Sequence, residues 1–181
     1  MSRFIMNHYA KFFIGLFIVI NSLIFGGCVG CPYSFTGASV PQHLKTLAIP
    51  FAEDRSGSGE ATLKDNLTQQ LIQKFIDDNN FTITDRNNAD AILECVVLSL
   101  SDNPSALAGT DSGERLSTMR VTVTIKVSYR DMVEKKVIYD KTFTDYGEYP
   151  AGGSFQQRSE AIKTALDKIT DDILLDTVSG W

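Results

Sequence analysis

Cys28 is the residue best placed to do chemistry, because of what precedes it. Arg3 and Lys11 stand in an opening stretch without acidic residues. An apolar run follows from Phe12 to Phe25, broken by Asn21 and Ser22, and Gly26 and Gly27 come directly before the thiol. A basic region, an apolar core and a small-residue cleavage site make a secretory signal peptide. A cysteine just after the small pair makes that thiol the acceptor for a diacylglyceryl group, and cleavage frees an amine on the same residue for N-acylation. The 14-residue apolar run is short of the roughly 20 residues that span a bilayer. An uncleaved anchor and plain secretion stay open as alternatives. Cys31, in the string CVGC, is a second acceptor, but it lacks an apolar residue at the third place before it, which Phe25 fills for Cys28. The expectation is a covalent N-acyl and S-diacylglycerol lipid on Cys28 (alternative Cys31), with no other cofactor.

The remaining reactive groups are few. After the leader, His43 is the one histidine, and no GxSxG elbow, P-loop or GxGxxG is present, so nucleophilic and nucleotide chemistry lack their parts. One histidine and two remaining cysteines show no metal-ligand spacing, and no metal is expected. Asp77–Asp78 and Asp171–Asp172 fall near helix ends and read as solvated faces. A glycan hydrolase would need two carboxylates facing across a cleft. No enzyme is expected. Basic residues gather on or beside one hairpin: Arg115, Arg120, Lys126, Arg130, Lys135 and Lys136. Arg120, Lys126 and Arg130 point outward from the strand and are candidates for phosphate contact; the plain alternative is that they block unwanted strand pairing.

Composition bounds the rest. Removing residues 1–27 leaves 154 residues with 15 basic and 22 acidic side chains, a net charge of −7. That is one domain with an acidic balance, the reverse of a nucleic-acid binder. It also argues against flat electrostatic docking on anionic lipid, so attachment falls to acyl chains, each methylene adding about 0.8 kcal/mol. Cys95 lies in the apolar string DAILECVVLSL and reads as core; a Cys31–Cys95 disulfide stays open in an oxidising periplasm.

The elements that position these groups follow from periodicity. Residues 28–43 contain Gly30, Pro32, Gly37 and Pro41 and read as an extended tether that leaves the bilayer. Leu44 to Phe51 is a short strand ended by Pro50, and AEDRSGSG is a loop. Leu63, Leu67, Leu71 and Phe75 recur every four residues, a helical stripe with Ile72 and Ile76 beside it. FTITD is a brief strand or turn. Ala89 to Ser101 is apolar on both faces, as an interior strand is. Arg120 to Arg130 alternates, with Val121, Val123, Ile125, Val127 and Tyr129 inward. It pairs with Val137 to Thr144, where Val137, Tyr139 and Phe143 share a face. Ser154 and Gln157 have capping-box spacing before a helix striped by Ile162, Leu166, Ile169 and Ile173. Ser101 to Arg115 reads as the longest loop. The fold class expected is α+β: a two-layer sandwich, its sheet mixed, mainly antiparallel and of about four strands, with two helices on one face. The domains are a signal peptide (1–27), a lipidated tether (28–43) and one sandwich domain (44–181).

CPYSFTGAS, LKTLAIPFAEDRS, RVTVTIKVSYRD, FTDYGEYPAGG and the ending DDILLDTVSGW together resemble the LptE family of lipopolysaccharide-assembly lipoproteins, in the form found in Bacteroidetes- and Chlorobi-like bacteria. The strings are structural rather than catalytic; their order along the chain carries the resemblance. It implies an outer-membrane lipoprotein on the periplasmic side that plugs and helps assemble a large β-barrel partner, LptD, and that can contact lipopolysaccharide. Val29, rather than Asp, after Cys28 agrees with outer-membrane delivery. A free-standing, lipid-tethered periplasmic binding module of another envelope complex is the alternative.

Overall fold

The computed structural model describes residues 40–110 and 113–179, without the side chains of 106–116. Its elements in chain order are β1 (Thr46–Ala48), β2 (Glu53–Asp54), α1 (Leu63–Asp78), β3 (Thr82–Ile83), a 3-10 turn (Arg86–Asn88), β4 (Ala91–Thr110), β5 (Gly113–Asp131), β6 (Lys136–Pro150) and α2 (Phe155–Ser179). The sheet runs β3-β1-β4-β5-β6, with β2 also pairing β4. β3, β1 and β2 pair in parallel; β4, β5 and β6 are antiparallel. β1 and β2 lie along the same strand, β4, and are separated by Pro50, which has no N–H to continue the ladder. The sheet therefore has six strands, where the sequence reading gives about four. β3 is the brief strand or turn read in FTITD, and β2, two residues long, is too short to show a period.

Both helices cover one face. In α1, Leu63, Leu67, Leu71 and Phe75 are fully buried, while Ile76 is exposed. The helix stops at Asn79, whose φ of 58° is left-handed and whose N–H reaches Phe75 O at 3.2 Å; Asn takes that conformation more readily than most residues. α2 opens on the expected capping box: Ser154 N–H donates to Gln157 Oε1 (2.8 Å) and Gln157 N–H to Ser154 Oγ (3.3 Å). Its stripe of Ile162, Leu166, Ile169 and Ile173 meets the inward row of β5, Val121 to Tyr129, all buried. Lys74 of α1 ties the helices together through Asp167 and Asp171 of α2 (3.1 and 2.5 Å).

Three expectations need correction. Ser101 to Arg115 is not a loop: β4 and β5 continue as a paired ribbon through Thr110↔Gly113. β6 ends opposite Thr118, and the sequence of the outer ribbon has no apolar alternation to betray it. Pro104 sits beside a register shift, where a strand tolerates proline. Val137 does not share the face of Tyr139. A bulge makes Val137 oppose Arg130 while Tyr139 opposes Tyr129, and Val137 is exposed. Finally, the second apolar face of β4 is not interior: Ile92 is buried, but Val96 is half-buried and Leu98 is exposed.

Candidate functional site

That second face of the sheet carries the candidate site. Strand alternation puts Lys126, Ser128 and Arg130 of β5 on it, beside Glu94 and Val96 of β4 and Asp140 of β6. With Phe51, Arg55 and Arg86 they line an open groove of about 360 Å³. Its floor is apolar through Val96, Leu98 and Phe51, the last strongly exposed. Its walls carry four cations, each set against a carboxylate. Glu94 lies between Arg86 (3.0 Å) and Arg130 (4.0 Å); Lys126 reaches Asp140 at 3.2 Å and Arg55 reaches Glu53 at 2.5 Å. An apolar strip flanked by exposed cations suits a ligand with acyl chains and an anionic headgroup. Exposed ion pairs of this kind are worth only about 0–1 kcal/mol, so a more highly charged anion can take the cations over.

Lys126 and Arg130 thus come together, and Arg120 does not join them. It shares their face but stands six residues along the strand, about 20 Å away. There its guanidinium bonds Glu148 (2.7 Å) and lies 3.7 Å from the centroid of the Tyr146 ring, which Lys168 also approaches at 4.5 Å. The Arg120 hydrogen bond holds the Glu148 carboxyl below the usual carboxylate range. The side chain of Arg115 lies outside the described residues, as do Cys28 and Cys31. Cys95 is buried and free, and burial pushes its thiol up to about 12.

His43 finds partners that sequence spacing did not reveal. Its Nε2 meets Asp131 Oδ2 at 2.7 Å, with Glu134 at 3.8 Å. The three are close enough to suggest metal ligands, but Asp131 is already engaged. Its Oδ1 accepts the N–H groups of Val133 and Glu134, both at 2.8 Å. The carboxylate folds the β5–β6 turn and fastens the start of the domain to it. Burial pushes the Asp131 carboxyl up, yet the N–H of Glu134, the His43 ring and the N–H of Val133 outweigh it and hold it below the usual range. A lowered folded value means that the unfolded chain takes up the proton first. The stabilisation is therefore present above about pH 4, the ordinary carboxylate value, and is lost as pH falls through the lower folded value. Asp131→Asn is expected to cost about 1–3 kcal/mol at neutral pH and to flatten the loss of stability below pH 4. Urea midpoints measured across that range check both.

The family model described as lipopolysaccharide assembly, LptE, matches residues 44–177. The chain belongs to the LptE family. The match takes in all six strands and nearly all of α2, so the groove lies wholly within the LptE domain and the role is in lipopolysaccharide assembly. No curated protein matches the chain by sequence. Two solved structures share the fold and a third is similar at a lower score. A Xanthomonas campestris protein matches with a TM-score of 0.56 at 15% identity, covering 78% of this chain and 89% of its own. A hypothetical protein from Chlamydia trachomatis gives 0.55 at 10%, covering 76% and 99%. A minor lipoprotein from Acinetobacter baumannii gives 0.48 at 18%, covering 74% and 91%. On this LptE chain Arg55 and Arg86 are the groove residues that sequence reasoning missed. They reach it from the residue after β2 and from the 3-10 turn, and no periodicity links either to β5.

Proposed function

We propose that this LptE-family chain is an acylated outer-membrane lipoprotein on the periplasmic side, which fills the lumen of an LptD-like β-barrel, helps it assemble and keeps a route open for lipopolysaccharide. It works by shape and surface chemistry and catalyses no reaction. The observation that carries the reading is the open sheet face, apolar along β4 and cationic along β5, in a chain of a lipopolysaccharide-assembly family. Half-buried Thr122, Thr124 and Ser128 on the same face suit the wet interior of a barrel. Phosphate groups of the glycolipid draw Lys126 and Arg130 away from Asp140 and Glu94, while Val96, Leu98 and Phe51 meet acyl chain. In this reading membrane attachment comes from the lipid on Cys28.

Affinity capture of the chain from detergent-solubilised outer membrane tests the central claim. A stoichiometric large barrel protein is the expected companion; a soluble partner, or none, overturns it and favours a free-standing binding module. Lys126→Glu with Arg130→Glu is expected to weaken retention on immobilised lipopolysaccharide by about tenfold, or about 1.4 kcal/mol, with an unchanged melting curve. Unaltered retention would leave the two cations to their carboxylate partners alone. Cys28→Ala is expected to abolish the acyl mass shift of the mature protein; if Cys31→Ala does so instead, the acceptor is Cys31.

A further inference from the structure

We propose that the β5–β6 turn is a second membrane contact, an apolar and cationic tip that seats on the surface of the lipid leaflet holding the acyl anchor. The proposal rests on the anchor reading above. Met132, Val133 and Val137 are three apolar side chains within six residues, all exposed, Val133 and Val137 at 55%. Lys135 and Lys136 stand between them and are exposed too. Lys136 pairs with Glu134, and Lys135 makes no ion pair among the described residues. Lys135 also occupies the left-handed position of the turn, φ 55°, which Gly or Asn fills at less cost. This composition suits an interfacial element: apolar side chains enter the headgroup boundary while Lys135 meets anionic headgroups.

The occupant follows from where the chain joins the domain. Asp131, the last residue of β5, holds His43 at 2.7 Å, and the N–H of Met132, the first residue of the turn, donates to Asp90 O at 2.8 Å. Asp90 in turn accepts the N–H groups of Lys45 (3.0 Å) and Thr46 (2.9 Å). The tether therefore meets the folded domain at the tip itself. Eleven residues separate Cys28 from Val40, a reach of at most about 40 Å. A linker of that length holds the tip at an effective concentration on the order of millimolar relative to the leaflet. A contact too weak to recruit free protein is then occupied much of the time, which reconciles it with the acidic net charge of the chain.

Depth-dependent quenching tests this on the acylated full chain in phosphatidylethanolamine–phosphatidylglycerol vesicles, with Trp181→Phe removing the native indole. Val133→Trp places an indole at the tip, and Phe155→Trp places one on an exposed site at the far end of β6. Flotation of the vesicles reports the anchor separately. The expected result is flotation of both variants, with brominated acyl chains quenching the indole at 133 by about twofold or more, as the ~5–10 Å depth of interfacial elements requires. The indole at 155 stays unquenched. Flotation without quenching at 133, or quenching at 155 instead, overturns the docking and leaves the anchor standing. Failure to float removes the anchor and the docking with it. Met132→Trp gives the same reading should Val133→Trp fail to fold.

Discussion

Ile125→Asp is expected to leave the domain unfolded at room temperature. Ile125 is fully buried, opposite Val97 on β4 and Phe143 on β6, within a cluster made wholly of hydrophobic residues. The buried polar side chains of the described residues are Thr68, Asp131, Thr170 and Thr177, and none supplies a positive charge. Loss of the aliphatic side chain and the space it fills costs about 2–5 kcal/mol. A carboxylate without a partner in that space costs several kcal/mol more, even after it takes up a proton. Together these match the whole stability of an ordinary domain, about 5–15 kcal/mol. The neighbouring residue is the control. Lys126 is exposed on the opposite face, and Lys126→Asp is expected to shift stability by no more than about 0.5–1 kcal/mol. Circular dichroism melts of the two variants give the comparison. A cooperative melt of Ile125→Asp close to that of the parent would mean that the inward and outward rows of β5 are reversed.

The contrast between these adjacent positions shows which features the sequence makes legible. A strand with one covered face prints its burial at every second residue, and β5 does so from Val121 to Tyr129. The helix stripes and the Ser154–Gln157 box are equally local, set by side chains three or four residues apart. Features that depend on more distant partners leave no such trace. Leu98 and Val96 look like core because they are apolar, yet the helices are spent on the other face, and the sheet leaves these two beside the groove. Val137 follows an alternating pattern until a bulge opposite Tyr129 and Arg130 resets it. The ribbon beyond Ser101 is continued by backbone pairing through Thr110↔Gly113, and Asp102 is fixed by Arg158 and Tyr149 from distant segments, so its polar, glycine-bearing sequence looks like a loop. The site divides along the same line. Lys126 and Arg130 share a strand face and were found from parity; Arg120 shares the parity but not the place. Arg55, Arg86 and the His43–Asp131 contact arise only when segments 30 to 90 residues apart are folded together.

Gly147 is the sharpest example of such a long-range demand, and its replacement is the second large effect expected. It lies on β6, opposite Val121 and under α2. A Cβ built there would stand 1.9 Å from the carbonyl oxygen of Ala161, 2.6 Å from its carbonyl carbon and 2.8 Å from its Cα. All three atoms belong to the helix backbone, so no side chain can rotate away. Gly147→Ala forces α2 off the sheet by about 1 Å or more, and overpacking of this kind costs about 1–3 kcal/mol, occasionally more. The upper end applies, because Ala161, Ile162 and Ala165 are buried along the same contact and lift with it. For a domain of this size about 3 kcal/mol lowers the melting temperature by roughly 10 °C. A second-site change separates backbone from side-chain crowding. If the clash were with the Ala161 methyl, Ala161→Gly would relieve it. Since the obstacle is the carbonyl, Ala161→Gly should add about 1 kcal/mol of helix cost instead. Rescue of Gly147→Ala by Ala161→Gly, or a melt within a degree or two of the parent, would show that the helix does not rest its backbone on this strand.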